Sequence, residues 1–396
     1  MLRFIDAGES HGKCLLGIVE GFPEGMSLNL KPINDDLKRR QGGYGRGLRM
    51  NIEQDNIEIL SGVIAGKTIG SPIGLLINNK DWIKEPLSNS AEKERFVIPR
   101  PGHADLAGVL KYGLDNYGVI LERASARITA MRVAIGSLAR QFLEYFSIYS
   151  YSHVIGIGSI LIDDSTVDGM KKEVSDIKEI KRKINKSKVY CLNEKISEEM
   201  CREIDGAKRE GDTLGGIFEV VIGNVPVGLG SHVYWTRRID ARIAGAIMSI
   251  PGVKAIEIGR GMRSAQSRGS QAQDAIYYEK ASELKNSNKS NFYRKQNWAG
   301  GIEGGITNGE EIIVRAYLKP VPTLSSPLPS VNLSSKKESP ANYQRSDCCA
   351  APAASVIGEA VVNWEIAVAF LEKFAGDSLK EIKVNFNNYQ KRVKDC

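Results

Sequence analysis

The chain has few cysteines, and they form none of the patterns that bind a metal or cross-link a small secreted fold. Its 396 residues include six cysteines and no C-x-x-C pair. A chain of this length buries a sizeable core without disulfides, so we expect a reduced, cytoplasmic protein with no metal site. The opening residues MLRFIDAGESHG contain no apolar stretch of signal-peptide type, so no targeting segment is expected.

Two further shortages bear on membrane and nucleic-acid partners. No apolar run approaches the ~20 residues that a helix needs to span a bilayer, so no membrane partner is expected. The net charge of +7 comes without a long block of Lys and Arg and without interleaved aromatic residues, which argues against a nucleic-acid partner. A moderate positive charge instead favours a small anionic ligand.

Hydrophobic patterns predict a single α/β domain over residues 1–396, with mostly antiparallel strands around central helices. Strands are predicted at 14–23, 57–63, 72–79, 154–163, 217–223, 253–259 and 312–318. Helices are predicted at 34–41, 240–250 and 352–374, with a basic tail after the last one. The charged segment 164–210 is expected to form exposed helices away from the active site, and 275–296 and 324–346 are expected to be mobile loops.

Two more helices, within residues 100–144, are the expected centre of the fold. The first carries an apolar stripe formed by Leu106, Val109, Leu110 and Leu114. The second carries a seam formed by Ile128, Met131, Ile135, Leu138 and Phe142. Small residues interleave the second seam, so a neighbouring element is expected to approach it closely. Ser125 is the expected N-cap of this helix, and backbone N–H groups at such a start favour an anion.

The sequence contains only four histidines, and two of them lie beside glycine turns. These are His11 in GESHG and His103 in RPGHAD. Imidazole suits proton transfer near neutrality, with an unperturbed pKa of ~6.5, so both are candidate acid–base groups. A structural histidine is nevertheless the commoner case. His153 and His232 stand in strand-like contexts, and a structural role is expected for them.

Two other motifs leave alternatives open. GESHG matches the G-x-S-x-G hydrolase elbow with Ser10 as nucleophile, although a strand rather than a helix is expected to follow it. The loop GGYGRG is surrounded by Arg39, Arg40, Arg46 and Arg49, with no acidic residue near enough in sequence to pair with them all. Such a loop could hold a dianionic ligand or could be a solvated basic turn. A Ser10 hydrolase and a simple polyanion-binding protein are therefore the rival functions.

Eight segments, in order along the chain, resemble the chorismate synthase family. They are GESHG, RRQGGYGRGLRM, RPGHADLAGVLKYG, RASARITAMR, DTLGG, AGGIEGGITNG, KPVPT and RSDCCAAPAA. Each is short, but their number and order over nearly the whole chain make a chance resemblance implausible.

The resemblance implies a function, a cofactor and an architecture. The implied function is that of a lyase at the last step of the shikimate pathway. It removes phosphate and a ring proton from 5-enolpyruvylshikimate 3-phosphate to give chorismate, without net redox change. Reduced FMN is the implied cofactor, and NADPH is a candidate reductant for it. The implied fold is a sandwich with helices between β-sheets, in a protein that assembles as a homotetramer.

Roles for individual residues follow from the same resemblance. His11 would protonate or stabilise the reduced flavin, His103 would act on the leaving phosphate, and Asp347 would help the flavin N5 region accept the substrate proton. Ser10 and Ser125 fall at positions tied to that proton network.

The implied binding residues form two sets. Substrate anions or NADP would be bound by Arg40, Arg46 and Arg127. FMN would be held by Arg123, Ala124, Ser125, Pro251, Gly252, Gly304, Lys319, Pro320, Val321, Pro322, Thr323 and Arg345. Family members often have an amide residue at the position of Pro251, so only a backbone contact is expected there.

Overall fold

The computed structural model describes residues 2–47, 54–80, 82, 96–173, 176–279, 290–343 and 346–396. Its helices are α1 (Leu30–Gln41), α2 (Asp105–Tyr112), α3 (Gly118–Ala124), α4 (Thr129–Glu144), α5 (Asp164–Glu173), α6 (Ile177–Lys186), α7 (Glu194–Glu210), α8 (Ile239–Met248), α9 (Gly261–Ala265), α10 (Gly269–Ala272), α11 (Ala351–Phe374) and α12 (Leu379–Asp395). Short 3₁₀ turns occupy Ala126–Ile128 and Trp235–Arg237.

The strands are mostly short, and the longer ones build two sheets. Their bounds are β1 (Arg3–Gly8), β2 (Cys14–Glu20), β3 (Ile57–Ile59), β4 (Val63–Ile64), β5 (Lys67–Thr68), β6 (Ile73–Asn78), β7 (Tyr149–Ile157), β8 (Ile160–Leu161), β9 (Gly216–Gly223), β10 (Val253–Ile258), β11 (Ile276–Tyr278), β12 (Phe292–Arg294), β13 (Ile302–Glu303), β14 (Ile306–Thr307), β15 (Ile312–Leu318), β16 (Pro329–Val331) and β17 (Glu338–Pro340).

Two antiparallel sheets enclose a layer of helices, which confirms the predicted fold class. One sheet has the order β1-β2-β6-β3 and the other β10-β15-β9-β7-β8. Helix α4 packs on β2 of the first sheet, and α11 packs on β7 and β9 of the second. Side chains of both helices and both sheets form one continuous buried core.

Glycines allow the layers to approach closely. A Cβ on Gly136 of α4 would lie 2.3 Å from the Ala360 carbonyl oxygen of α11. A Cβ on Gly17 of β2 would lie 2.6 Å from the Met131 sulfur of α4. A side chain at Gly136 would push α4 away from the α11 backbone, and one at Gly17 would displace the Met131 side chain. The small-residue seam therefore performs the close packing that the sequence predicted for the second central helix.

Helix α11 contradicts the expectation about apolar runs. Ala351–Phe374 is long and apolar enough to cross a membrane, because alanines and glycine interrupt its larger apolar residues without adding charge. However, 89% of its most apolar window is buried inside the protein. It is the core helix between the sheets, and its apolar surface is covered by protein.

Several element boundaries differ from the predictions. Helix α1 begins at Leu30 rather than residue 34, because Asn29, not Asn34, caps it by accepting from Lys31 N–H. Strand β7 begins at Tyr149, five residues early, and its polar Ser and His side chains hid the start. His232 lies on an exposed bend rather than in a strand.

The expected loops and tail contain regular structure. The tail after α11 folds into α12, capped by Ser378. The strands β11 and β12 form a hairpin at the ends of segment 275–296, and β16 and β17 form another within 324–346. Residues 280–289 and 344–345 lie outside the described residues. The segment 164–210 contains the three predicted helices, α5 to α7.

The first central helix is more exposed than its pattern suggested. Of its apolar stripe, Val109 is buried, whereas Leu106 and Leu110 are 46% and 72% exposed. Helix α2 therefore lies at the surface with only one edge in contact with the protein. A separate short helix, α3, connects it to the second central helix.

Candidate active site

A cavity of about 830 Å³ lies between the glycine-rich loop after α1, helix α7 and the segments around residues 323–325 and 343–348. Three residues with implied roles line it, namely Arg46, Thr323 and Asp347. Asp205 and Lys208 of α7 line it as well. The charged segment 164–210 was expected to lie away from the active site, and its helix α7 reaches this candidate cavity.

The loop of residues 42–47 is held by partners from distant parts of the chain. Arg46 Nη1 pairs with Asp347, whose other carboxylate oxygen accepts from Gly47 N–H at 2.7 Å. Tyr44 donates its hydroxyl to Asp205 at 2.9 Å. The loop is therefore not a solvated basic turn. Its acidic partners lie too far away in sequence for a local pattern to reveal them.

The neighbouring arginines of the same motif point to different places. Arg39 contacts Asp36 at 3.2 Å and Glu359 at 3.4 Å within the helical layer. Arg40 faces the candidate site, where its Nε donates to Thr129 at 3.0 Å. Arg49 lies outside the described residues.

Arg40 and Arg127 are buried and share the carboxylate of Asp55. Asp55 Oδ1 lies 2.7 Å from Arg127 Nη1, and Asp55 Oδ2 lies 3.7 Å from Arg40 Nη1. That Arg40 atom has no hydrogen-bond partner among the residues the structure describes. Burial lowers the pKa of Arg40 to about 9; the nearby charges of Arg46 and Arg127 lower it too, while Asp55 opposes them. Two guanidinium groups for one carboxylate leave positive charge that an anionic ligand would neutralise.

Ser10 and His11 lie in the turn between β1 and β2. Ser10 Oγ donates to Ser125 Oγ at 3.1 Å. The backbone N–H and ring Nδ1 of His11 each lie 2.8 Å from an oxygen of Glu122. Since this turn joins two strands, it lacks the strand–turn–helix geometry of a hydrolase elbow, and the Ser10 hydrolase reading is wrong.

Asn79 links this turn to the buried arginines. Its Nδ2 donates to the carbonyl oxygens of Glu9 and Gly12 at 3.2 and 2.7 Å, and its Oδ1 accepts from Arg127 Nε at 2.8 Å. Ser125 Oγ also accepts from Arg127 N–H at 3.3 Å. It thereby caps the 3₁₀ turn that precedes α4, one turn earlier than predicted.

His103 lies in a second ionic cluster. Its Nδ1 contacts the carboxylate of Asp105, which also accepts from Arg100 Nε at 2.8 Å. Arg100 Nη1 donates to Thr323 Oγ1 at 3.3 Å, which ties this cluster to a residue of the cavity wall. Burial alone would raise the pKa of Asp105, but bonds from His103 and Arg100 hold it at about 2. Asp105 is therefore a carboxylate at neutral pH.

Part of the implied FMN set lies along one chain of contacts. Lys319 N–H donates to Gly252 O at 3.0 Å, and Lys319 Nζ contacts Gly102 O. Val321 O accepts from Thr213 Oγ1 at 2.7 Å, which anchors the stretch that contains Pro320 and Pro322. At Gly252, φ is +89° and no described atom lies within 4 Å of a Cβ placed there. A ligand can therefore approach this backbone closely.

Asp6 connects helix α3 to this same series of contacts. The Asp6 carboxylate lies 3.6 Å from Arg123 and 3.1 Å from Arg132. Arg132 in turn donates to Ser249 Oγ at 3.1 Å, two residues before Pro251. Arg123, with Ala124 and Ser125 after it, is thereby connected to the Pro251–Gly252 turn.

Among the described residues of the implied set, Gly304 has contacts in a different part of the fold. Gly304 lies in the β13–β14 turn. The carbonyl oxygen of the next residue, Gly305, accepts from the N–H groups of Ser231 and Ile239. These contacts connect the turn to α8 rather than to Lys319. Arg345 lies outside the described residues.

Four residues that hold the site together were missed by the sequence analysis. Asp55, Asn79 and Glu122 have no motif, and their contacts with Arg127 and His11 span at least 48 residues of sequence, so no local signal identifies them. Asp105 stands two residues after His103, and this spacing could have been recognised.

Comparison with known proteins gives a consistent result. A family model described as chorismate synthase matches residues 2–371. The chorismate synthase of Desulforamulus reducens is 50% identical over 400 residues, covering 100% of both chains. That of Alkaliphilus metalliredigens is 49% identical over 394 residues, covering 98% of this chain and 99% of the relative. A solved structure described as a crystal structure of chorismate synthase is 39% identical, with a TM-score of 0.80, covering 100% of this chain and 99% of the other. The chain therefore belongs to the chorismate synthase family.

Proposed function

We propose that this chain is the lyase that converts 5-enolpyruvylshikimate 3-phosphate to chorismate at the last step of the shikimate pathway. In this 1,4-elimination the substrate loses its phosphate by C–O cleavage and a ring proton by C–H cleavage, and two conjugated ring double bonds replace the one that lay between the two positions. The observation that carries the proposal is the excess of buried positive charge beside two carboxylate-bound histidines. A substrate with a phosphate and two carboxylates needs that charge.

The arginines are the proposed substrate anchors. Arg46 lines the cavity, and Arg40 and Arg127 are buried around the single carboxylate of Asp55. Asp55 and Asp347 hold the guanidinium planes in place before the ligand arrives, so little orientation entropy is lost on binding. A simple polyanion-binding protein, the rival function, would need the same positive charge but no positioned histidine.

The residues present fit reduced FMN as the cofactor. Open backbone at Gly252 and the cationic side chains of Arg123 and Lys319 suit a planar, phosphorylated ligand. We assign FMN binding to the residues that are connected by contacts from Arg123 to Lys319, as described above. We assign it also to Gly304 and Arg345. When bound, reduced FMN supplies electron density to the substrate as phosphate leaves and takes it back as the proton departs.

His103 is the proposed proton donor to the leaving phosphate. The Asp105 carboxylate accepts from Nδ1, and Nε2, which lies 3.3 Å from Arg100 Nη2, is the proposed donor atom. Asp105 stabilises the charged ring, and the Arg100 guanidinium beside it favours an anionic phosphate.

His11, Ser10, Ser125 and Asp347 are the other proposed proton-handling groups. Ser10 and Ser125 share a hydrogen bond and can pass a proton between hydroxyls. Asp347, the partner of Arg46, would help the flavin N5 region accept the ring proton. His11 supplies a second imidazole whose Nδ1 is bound by a carboxylate.

An anaerobic assay with photoreduced FMN tests the whole proposal. Purified protein is expected to release chorismate and inorganic phosphate in equal amounts, and oxidised FMN is expected to support neither. Folded protein that forms no chorismate under these conditions would contradict it. Repeating the assay with NADPH and oxidised FMN shows whether this chain also reduces its own flavin.

We also propose that the protein is a cytoplasmic homotetramer. Large apolar side chains on the surface support an assembly, among them Leu110 and Trp235, which are 72% and 79% exposed. Light scattering after gel filtration is expected to give about four times the chain mass of 43.5 kDa. A monomer at micromolar concentration would contradict this.

A further inference from the structure

We propose that Glu122 is a positioning residue for His11. It holds the ring with Nδ1–H towards its own carboxylate, so that Nε2 is the atom free for proton transfer. This inference rests on the proposed role of His11 in the elimination.

Glu122 holds both the ring and the backbone of the same residue. Its Oε1 lies 2.8 Å from His11 Nδ1, and its Oε2 accepts from His11 N–H at 2.8 Å. Its backbone oxygen also accepts from Ser10 N–H at 3.0 Å. Three hydrogen bonds accepted by Glu122 of helix α3 therefore fix the position of the Ser10 and His11 backbone and the orientation of the imidazole ring.

The chemistry of the pair decides the tautomer. An ionised carboxylate only accepts hydrogen bonds, so the ring nitrogen that faces it must carry the proton. The neutral ring then has its lone pair on Nε2, and the charged ring donates from Nε2. The side chains of Glu122 and His11 are 14% and 25% exposed. The bond is thus sheltered from water, while one part of the ring remains accessible.

The turn does not need this ring contact in order to fold. Asn79 already binds the carbonyl oxygens of Glu9 and Gly12, and Arg123 donates to Gly8 O at 3.0 Å. Since the turn has these independent anchors, the bond to Nδ1 serves the orientation of the ring. A purely structural role would be served by the backbone bonds alone.

Glu122→Gln is the variant that separates these roles. The glutamine side chain has the same size as glutamate, but only its carbonyl oxygen can accept a hydrogen bond. The backbone N–H and the Nδ1–H of His11 are then no longer both satisfied. We expect kcat with photoreduced FMN to fall about 10- to 100-fold, as for loss of a group that orients a ligand histidine, with little change in KM. Glu20→Gln, in the exposed pair with Arg3, is the matched control and is expected to leave both constants unchanged.

A double-mutant cycle with His11→Ala tests whether Glu122 acts through the ring. In the His11→Ala background, Glu122→Gln is expected to change kcat less than twofold, because the group it positions is gone. The same fold loss in both backgrounds, or no loss in the single variant, would overturn the proposal. Parental kcat in His11→Ala alone would instead remove the proposed role of His11, and that of Glu122 with it.

The ring nitrogens supply a readout that a structural role would not move. Only four histidines occur in the chain, so ¹⁵N-labelled histidine gives few signals, and the one missing in His11→Ala is assigned to His11. We expect the neutral ring to carry its proton on Nδ1, and Glu122→Gln to lose this preference. A proton on Nε2 in the native protein would contradict the proposal.

Discussion

Two clusters in this molecule are built from the same three groups, which are an imidazole, a guanidinium and a carboxylate. In one, the carboxylate of Asp105 binds both His103 and Arg100. In the other, the carboxylate of Glu219 lies 3.3 Å from His153 Nε2 and accepts from Arg315 Nε at 2.9 Å. Their local chemistry is nearly identical, and yet we assign catalysis to only one of them.

The difference lies in what each histidine can reach. His153 is fully buried in the five-stranded sheet, and its Nδ1 has no hydrogen-bond partner in the described part of the chain. Lys171 of α5 covers Glu219 at 2.5 Å, which closes the cluster from outside. The His103 side chain is 17% exposed and is tied through Arg100 to Thr323 on the cavity wall. Access to a ligand, rather than residue type, separates a candidate site from a structural network.

Removing each histidine is the strongest test of this contrast. We expect His103→Ala to lose about 10²–10⁴-fold in kcat, as for a positioned acid–base group, with FMN and substrate still bound. The same loss is expected for His11→Ala. His153→Ala is expected to lower the melting temperature, because it leaves a cavity and removes one of the contacts of the buried Glu219 carboxylate, while kcat stays within about twofold at 25 °C. Reversed results would mean that the two clusters have been assigned the wrong way round.

The arginines sharpen the contrast at the level of binding. Arg46→Ala is expected to lose roughly 2–5 kcal/mol of productive substrate binding, and Arg46→Lys to recover little of it, since an ammonium cannot reproduce a bidentate fork. Arg260, which pairs with Asp164 and Asp168 beside the structural cluster, supplies the control Arg260→Ala. That variant is expected to change stability and leave KM near the parental value. Unchanged KM in both Arg46 variants would exclude substrate anchoring by Arg46.

Acid should weaken the His103 cluster in a defined pH range. Because the folded pKa of Asp105 is held at about 2, below its unfolded value near 4, its stabilisation is complete above pH 4 and is lost as the pH falls towards 2. This difference in pKa corresponds to about 2 kcal/mol. Asp105→Asn should therefore lower the free energy of unfolding at pH 7 by at least that amount, with a smaller difference at pH 3. A difference that stays constant between pH 7 and 3 would contradict the ionised pair.

The His153 cluster should respond at higher pH. Burial lowers the pKa of His153, while Glu219 opposes this, so the unfolded chain binds a proton more readily. The contribution of His153 to the free energy of unfolding is therefore fully present above the unfolded pKa of ~6.5. It falls as the pH drops below that value, by at most about 1.4 kcal/mol per pH unit. His153→Gln should flatten the slope of unfolding free energy between pH 7 and 5. An equal slope in both proteins would show that His153 does not titrate there.

Much of the fold could be predicted because its signals are local. The strand at Ile312–Leu318 and the helix at Ala351–Phe374 are continuous apolar segments, and their periods identify them directly. The start of β7 was missed because Ser150, Ser152 and His153 are polar. They are buried against partners from other elements, such as Glu359 at 2.9 Å from Ser150. Polar groups satisfied by distant partners look like loop residues in a sequence.

The sequence by itself determined the periodic elements, the family resemblance and the identity of both candidate histidines, because motifs and hydrophobic periods are properties of neighbouring residues. Only the tertiary structure decided that Asp55, Asp347 and Glu122 are the partners of Arg127, Arg46 and His11. It also decided that α7 lines the cavity and that α11 is a core helix. The physical reason is that charge pairing and burial depend on distance in space, and in this fold residues up to about 300 positions apart in the chain meet in one site.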